Sequence, residues 1–288
     1  MTLIKVPATS ANLGPGFDSL GIAISVYLEL EILEPAARWS VEHTLGSSIP
    51  MDEKNMIIQT ALSIAPELQP HRLKMKSAIP PARGLGSSSA AIVAGIELAN
   101  QLADLHLTND DKIQIGSRLE GHPDNIMPAV VGGCTVGTML DQQVYWSSIP
   151  FPQVSLVVTV PDRELLTAES RSVLPSALSL AEATKGSSVA NLLIAALHQG
   201  DVSLMGEMME QDVFHEPYRS TLVPELKVVR SLGRELGAYG TYLSGAGSTI
   251  MTITSDDVKE QLVTQLSEKI PTAQVFLAVM EREGVRVL

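Results

Sequence analysis

The chain of 288 residues contains one cysteine, Cys134. No intrachain disulfide can form and no cysteine cluster can hold a metal, so a reducing, cytoplasmic setting is expected. Basic residues are also scarce: 20 Lys and Arg stand against 32 Asp and Glu, a formal charge of -12 with an isoelectric point near 4.9. The phosphates of nucleic acid or anionic lipid would be repelled at long range, which leaves room only for a local basic pocket. No apolar run approaches the roughly 20 residues that span a bilayer. The opening MTLIKVPATSANLGPGFD lacks the basic segment, apolar core and small-residue cleavage site of a signal peptide. Neither a nucleic-acid nor a membrane partner is expected.

What is present is apolar content of 45%, enough for a sizeable core and two modest domains sharing an interface. Ile22, Ile24, Val26, Leu28, Leu30 and Ile32 alternate, and period two predicts a strand. Residues 3–7 form a short apolar run, further strands are expected at 39–45 and 71–79, and a helix over 55–65. From Ser88 a longer helix carries Ile92, Ile96, Ala99 and Ala103 as one apolar stripe, followed by a helix over 109–119. VSLVVTVP reads as a strong strand, residues 165–235 as rich in helix, and the remainder as two strands, an amphipathic helix over 256–269 and a last strand around AQVFLAVM. The order predicts an α+β protein divided near residue 155, into 1–155 and 156–288.

The stretch PPARGLGSSSAAI, Pro80–Ile92, runs into the predicted long helix. Gly84 and Gly86 permit close backbone approach, Ser87 and Ser88 add hydroxyls, and a helix N-terminus favours an anion. It is not a Walker A loop, because no Gly-Lys-Ser/Thr follows, nor a dinucleotide fingerprint, because the third glycine is missing. Taken alone it fits a phosphate cradle and a serine-capped turn equally well.

Two further small-residue segments, PATSANLGPGFDSLG from Pro7 and LSGAGSTI from Leu243, lie near the chain ends. The three in this order resemble the signature motifs of the GHMP kinases, and the resemblance spans nearly the whole chain. It implies an α+β, two-domain fold: a ribosomal S5 domain 2-like N-terminal domain with the ATP loop and a ferredoxin-like C-terminal domain. In finer detail PATSANLGPGFDSLG, HPDN before PAVVGG, TAESRSVLP and FHEPYRSTLVP resemble the homoserine kinase branch. The implied reaction moves the γ-phosphoryl group of ATP to the side-chain hydroxyl of L-homoserine, giving O-phospho-L-homoserine in threonine biosynthesis.

By that resemblance Pro80, Pro81, Ala82, Arg83, Gly84, Leu85, Gly86, Ser87, Ser88 and Ser89 hold ATP, with Asn55 near the nucleoside. Ser88 and Glu120 stand nearest Mg2+. Arg171 and Arg219 would grip the substrate carboxylate and Asp18 its ammonium, which matches the cationic forks and acidic group that a zwitterion needs. Asn12, His122, Asp124 and Asn125 would surround the amino acid and its hydroxyl, and Gly245 would cap the site. Asn12, Asp124 and Glu120 are the candidates for catalysis, chiefly by positioning, because phosphoryl transfer needs alignment and charge stabilisation more than a strong base. Arg83 and Lys185 both compete for a phosphate. A homodimer is compatible with the sequence, which does not set oligomeric state.

Without the resemblance the same residues have ordinary readings: Arg171 and Arg219 as solvated helix residues, Asn12 and Asp18 as turn formers, His122 as a surface turn residue, Glu120 as an exposed acid. Two other functions compete as well, a GHMP kinase for another small alcohol such as mevalonate or shikimate, and a catalytically silent nucleotide-binding homologue.

Overall fold

The alternating run at 22–32 forms the longest strand of the molecule. In the computed structural model, which describes residues 2–288, β1 (Thr2–Ala11) and β2 (Leu20–Pro35) pair antiparallel, and their connection is the first glycine-rich loop. There follow β3 (Ser40–Glu42), α1 (Met56–Ile64), β4 (His71–Ser77), α2 (Ser87–Leu102), α3 (Asn109–Glu120), α4 (Ile126–Val131) and a hairpin of β5 (Cys134–Leu140) and β6 (Gln143–Ile149). On its other edge β2 serves two more neighbours: Leu28–Ile32 pair with β4, and Leu20–Ile22 pair with β5. Alternation of burial holds only where the sheet has one wet face. Leu28, Leu30 and Ile32 point inward between Glu29 and Glu31, whereas residues 20–24 are buried on both faces.

α2 corrects the expectation of a single stripe. Ser89 and Ala90 are buried, and burial then runs without a break from Ile92 to Ala99, because the helix passes through the middle of the domain against α1, α3, α4 and β1. Small residues allow that packing. A Cβ at Gly95 would lie 2.5 Å from the Ile57 carbonyl oxygen of α1.

The second unit contains β7 (Ser155–Val160), α5 (Thr167–Ser172), α6 (Leu180–Gln199), α7 (Val202–Met209), α8 (Glu216–Arg219), α9 (Glu225–Glu235), β8 (Gly240–Leu243), β9 (Ile250–Thr254), α10 (Lys259–Lys269) and β10 (Gln274–Ala278), before a final β11 (Arg286–Val287). Its antiparallel sheet runs β10-β7-β9-β8. Counted within the unit this is the fourth, first, third and second strand, the ferredoxin-like order. β7 is buried at all six residues.

The chain end returns to the first sheet. β11 pairs with β1, Leu3 and Leu288 exchange backbone hydrogen bonds of 3.0 and 2.8 Å, and Met280 bridges Ile24. A division at 155/156 falls at the start of β7, but residues 279–288 pack with the N-terminal strands. The larger hydrophobic core joins both units, with Leu156, Leu193, Tyr242 and Met251 beside Ile22 and Met127; a smaller one lies between the second sheet, α9 and α10. Among the described residues no helix is long and apolar enough to cross a membrane.

Candidate active site

The three glycine-bearing loops are bonded to one another. Thr9 N–H donates to Leu85 O at 3.2 Å, Gly245 N–H to Ala11 O at 3.1 Å, and Thr249 N–H to Arg83 O at 2.9 Å. Hydroxyls reinforce the junction: Ser244 Oγ donates to Gly84 O at 2.6 Å and lies 2.8 Å from Ser10 Oγ. Gly84 and Gly86 are required here, since both have positive φ. A Cβ would meet Ser244 O at 2.3 Å at the first and Thr9 Oγ1 at 2.0 Å at the second.

α2 starts from Gly86 in the left-handed region with no side-chain cap. The serines do something other than cap: Ser88 Oγ and Ser89 Oγ donate to the two carboxylate oxygens of Glu120, at 3.1 and 3.0 Å. Gly86 and Ser87–Ser89, the cap and first turn of this sixteen-residue helix, line the cleft, and the start of a helix attracts an anion. Of the two readings of PPARGLGSSSAAI, the cradle agrees with this geometry and the serine cap does not.

The cleft gathers Asn12, Asp18, Gly84, Gly86–Ser89, Glu120, His122, Asp124, Asn125, Arg171, Arg219 and Gly245. Beside it an apolar cavity, walled by Leu28, Leu45, Ile49, Pro50, Met75 and Ile79, shares Ser87 and Ser88. Pro81 and Asn55 line that cavity. Asn55 is also a helix cap, its Oδ1 accepting from Ile57 N–H and its amide donating to Pro50 O.

Positive and negative groups interlock along the cleft wall. Asp18 takes two bonds from Arg171, 2.7 and 3.1 Å long, and its own N–H donates to Asn12 Oδ1. The Asn12 amide donates to Gly245 O at 3.1 Å, joining the first and third loops. Asp124, 2% exposed, accepts at Oδ1 from His122 Nδ1 at 2.6 Å and from Asn125 N–H at 2.9 Å. Asn125 in turn accepts from Thr9 Oγ1 at 2.6 Å. Burial opposes a charge on His122, but the bond to Asp124 and the carboxylates of Asp18 and Glu120 outweigh it and raise its pKa.

Arg219 is far from a solvated helix residue: it is 2% exposed, with Nε donating to Ser170 O and Nη1 to Gly245 O. Burial and the neighbouring Arg171 guanidinium push it down to about 10. Both guanidinium groups lie over the Phe17 ring, 5.3 and 5.6 Å from its centroid.

Some expected residues stand elsewhere. The Arg83 side chain turns to the second unit, donating to Pro161 O at 2.8 Å, so only its backbone serves the loop. Leu85 is fully buried in the core, and Lys185 is exposed on α6 outside the cleft lining. Phe17, Thr167 and the apolar cavity were not singled out from sequence. Phe17 sits within GPGFD, and nothing local to that stretch marks it as a platform for two cations. In the third loop the Gly247–Ser248 peptide is cis.

Residues 55–133 match the family model for the GHMP kinases N terminal domain, and residues 193–272 that for the GHMP kinases C terminal. The homoserine kinase of Listeria innocua is 52% identical over 284 residues, covering 99% of both chains, and that of Streptococcus thermophilus is 51% identical over the same span. The crystal structure of homoserine kinase from Cytophaga hutchinsonii superposes with a TM-score of 0.88 at 26% identity, covering 100% of this chain and 97% of the other. Mevalonate kinase of L. major, at 20% identity and a TM-score of 0.74 over 97% and 96% of the two chains, shares the fold. With half its residues identical along its full length to such relatives, the chain belongs to the homoserine kinase family of the GHMP kinases.

Proposed function

We propose that the protein transfers the γ-phosphoryl group of ATP to the side-chain hydroxyl of L-homoserine. The observation that carries the reading is the Asp18–Arg171 pair set beside Arg219. An α-amino acid presents an ammonium and a carboxylate on one carbon; this wall presents a carboxylate and a guanidinium side by side, in the complementary sense. Arg219 adds a second cation for the carboxylate. An acid without an amino group, such as mevalonate, would bring no ammonium to Asp18, whose cationic partner would remain Arg171 alone.

The nucleoside is assigned to the apolar cavity and the phosphates to Gly84–Ser89, because the cavity meets the cleft at Ser87 and Ser88. Glu120 and Ser88 would hold Mg2+. Their oxygen donors, a carboxylate and a hydroxyl 3.1 Å apart at a helix N-terminus, suit a hard cation that takes few protein ligands. When bound, the ion neutralises charge on the transferring phosphoryl group.

The chain's own residues align the acceptor. Arg171 and Arg219 fix the carboxylate, Asp18 the ammonium, and the side chains of Asn12 and Asn125 flank the hydroxyl. Asp124, whose Oδ1 already accepts from His122 and twice from Asn125, orients those groups. The loose transition state gains from such fixed dipoles without a strong base.

The test is to incubate the protein with Mg2+, ATP and L-homoserine and to identify the product by 31P NMR. A phosphomonoester on the homoserine oxygen is expected; phosphorylation of mevalonate or shikimate with none of homoserine would refute the reading.

A further inference from the structure

His215 immediately precedes α8 and is fully buried, at 0% exposure. Its Nε2 lies 2.9 Å from the Gly14 carbonyl oxygen of the first loop, and its Nδ1 lies 3.2 Å from Arg219 Nη1. A carbonyl cannot donate and a guanidinium cannot accept, so these partners determine both ring nitrogens. Nε2 carries the proton and Nδ1 accepts, which makes His215 a neutral imidazole of one defined tautomer. The ring also stacks on Phe17, 5.4 Å between centroids and 22° from parallel, on the aromatic platform that carries Arg171 and Arg219. The other charged group against it, Asp212, lies 3.5 Å from Nε2. That carboxylate is engaged by the backbone N–H groups of Phe214, His215 and Glu216.

The donors of Arg219 explain what this contact does. Of the five N–H bonds of a guanidinium, Nε spends its one on Ser170 O, and Nη1 divides its two between Gly245 O and His215 Nδ1. Among the described residues Nη2 has no hydrogen-bond partner, and Arg219 lines the cleft. The free edge of the guanidinium is set by where the other three donors are held.

We propose that His215 is a positioning residue for the substrate carboxylate. By accepting one Nη1 hydrogen while anchored to Gly14, it locks Arg219 in the rotation that offers Nη2 to the cleft. This rests on the assignment of Arg219 to the carboxylate of the acceptor. It also gives the His of FHEPYR a task distinct from that of Glu216, whose carboxylate holds Leu243 N–H and Arg230.

Two variants separate the two ring nitrogens. His215→Asn keeps an acceptor near the Nδ1 position and loses the bond to Gly14; His215→Gln keeps a donor near Nε2 and loses the acceptor. Steady-state kinetics with each substrate varied should show the KM for L-homoserine raised about tenfold or more in His215→Gln, equivalent to about 1.4 kcal/mol, and less than about threefold in His215→Asn. The KM for ATP should change less than about twofold in both. Equal homoserine KM values in the two variants, or equal loss of both substrates, would overturn the proposal. The unmodified enzyme supplies a check that does not depend on the alcohol: long-range 1H–15N correlation should find His215 protonated on Nε2 and bare on Nδ1. The opposite tautomer would overturn the proposal whichever acceptor is phosphorylated. Failure to phosphorylate homoserine would instead strike the functional reading, and the KM comparison would then be made with the acid-bearing alcohol that is turned over.

Discussion

Asp18 and Arg171, separated by 153 positions in the chain, meet across the cleft through two parallel bonds of 2.7 and 3.1 Å. Each is more than a third exposed by side chain, at 35% and 38%, so solvent screens the pair and its share of folding stability is small. Its charges are available to a ligand instead. Asp18→Asn and Arg171→Ala are therefore expected to shift the thermal midpoint by no more than a degree or two, while the KM for homoserine rises ~10- to 100-fold, the scale of a lost charge-assisted hydrogen bond. Calorimetry and steady-state kinetics on the same preparations check both halves.

Glu120 receives the hydroxyls of Ser88 and Ser89 at the mouth of α2. Glu120→Gln keeps a hydrogen-bonding oxygen but removes the charge. The Mg2+ concentration giving half-maximal rate should rise ~10-fold, with homoserine KM unchanged at saturating metal; a rate titration with Mg2+ reads this directly.

Gly84 takes φ +79 and would drive a Cβ to 2.3 Å from Ser244 O. Gly84→Ala should cost ~1–2 kcal/mol for the left-handed backbone alone, and more for the clash, which has backbone on both sides. The loop junction opens, so ATP affinity should fall together with the denaturant midpoint. Retained ATP binding at full stability would contradict the close approach of the second and third loops.

The raised pKa of His122 sets a pH dependence. A folded-state value above the unfolded one means that the His122–Asp124 bond contributes fully below about pH 6.5, the ordinary histidine value, and that the contribution fades as pH climbs through the raised value. The thermal midpoint of the unmodified protein should exceed that of His122→Gln most at pH 6, and the gap should narrow toward pH 9.

Elements with an intrinsic period were legible in the sequence. The outer half of β2 falls where its alternation places it, since a sheet with one wet face imposes period two; α1, α2, α3, β8 and β9 also lie within the ranges expected, although α2, β8 and β9 are buried on all sides and owe their legibility to apolar runs bounded by glycine-rich turns. β11 carried no such signal. Two residues have no period, and their position follows from pairing with β1 at the far end of the chain. α4 was hidden because Pro128 stands in its first turn, and proline there is compatible with a helix while interrupting any apolar pattern.

The site was legible by motif rather than by residue chemistry. Arg219 illustrates the gap: a charged residue in a polar segment reads as exposed, and only the convergence of Gly245, Ser170 and His215 buries it. Arg83 shows the reverse, a cation in the right loop whose side chain is held by Pro161 instead. Long-range bonds of this kind leave no trace in local spacing.

The proposal that Asp18, Arg171 and Arg219 recognise a zwitterion is tested most sharply by removing one group from the substrate. Turnover of L-homoserine and of 4-hydroxybutanoate, which keeps the carboxylate and the alcohol but lacks the ammonium, should be compared under identical Mg2+ and ATP. A kcat/KM at least ~100-fold lower for the deaminated acid is expected of a site built to pair that ammonium. Equal values would contradict the assignment of Asp18 and, with it, the reason for choosing an amino acid as the acceptor.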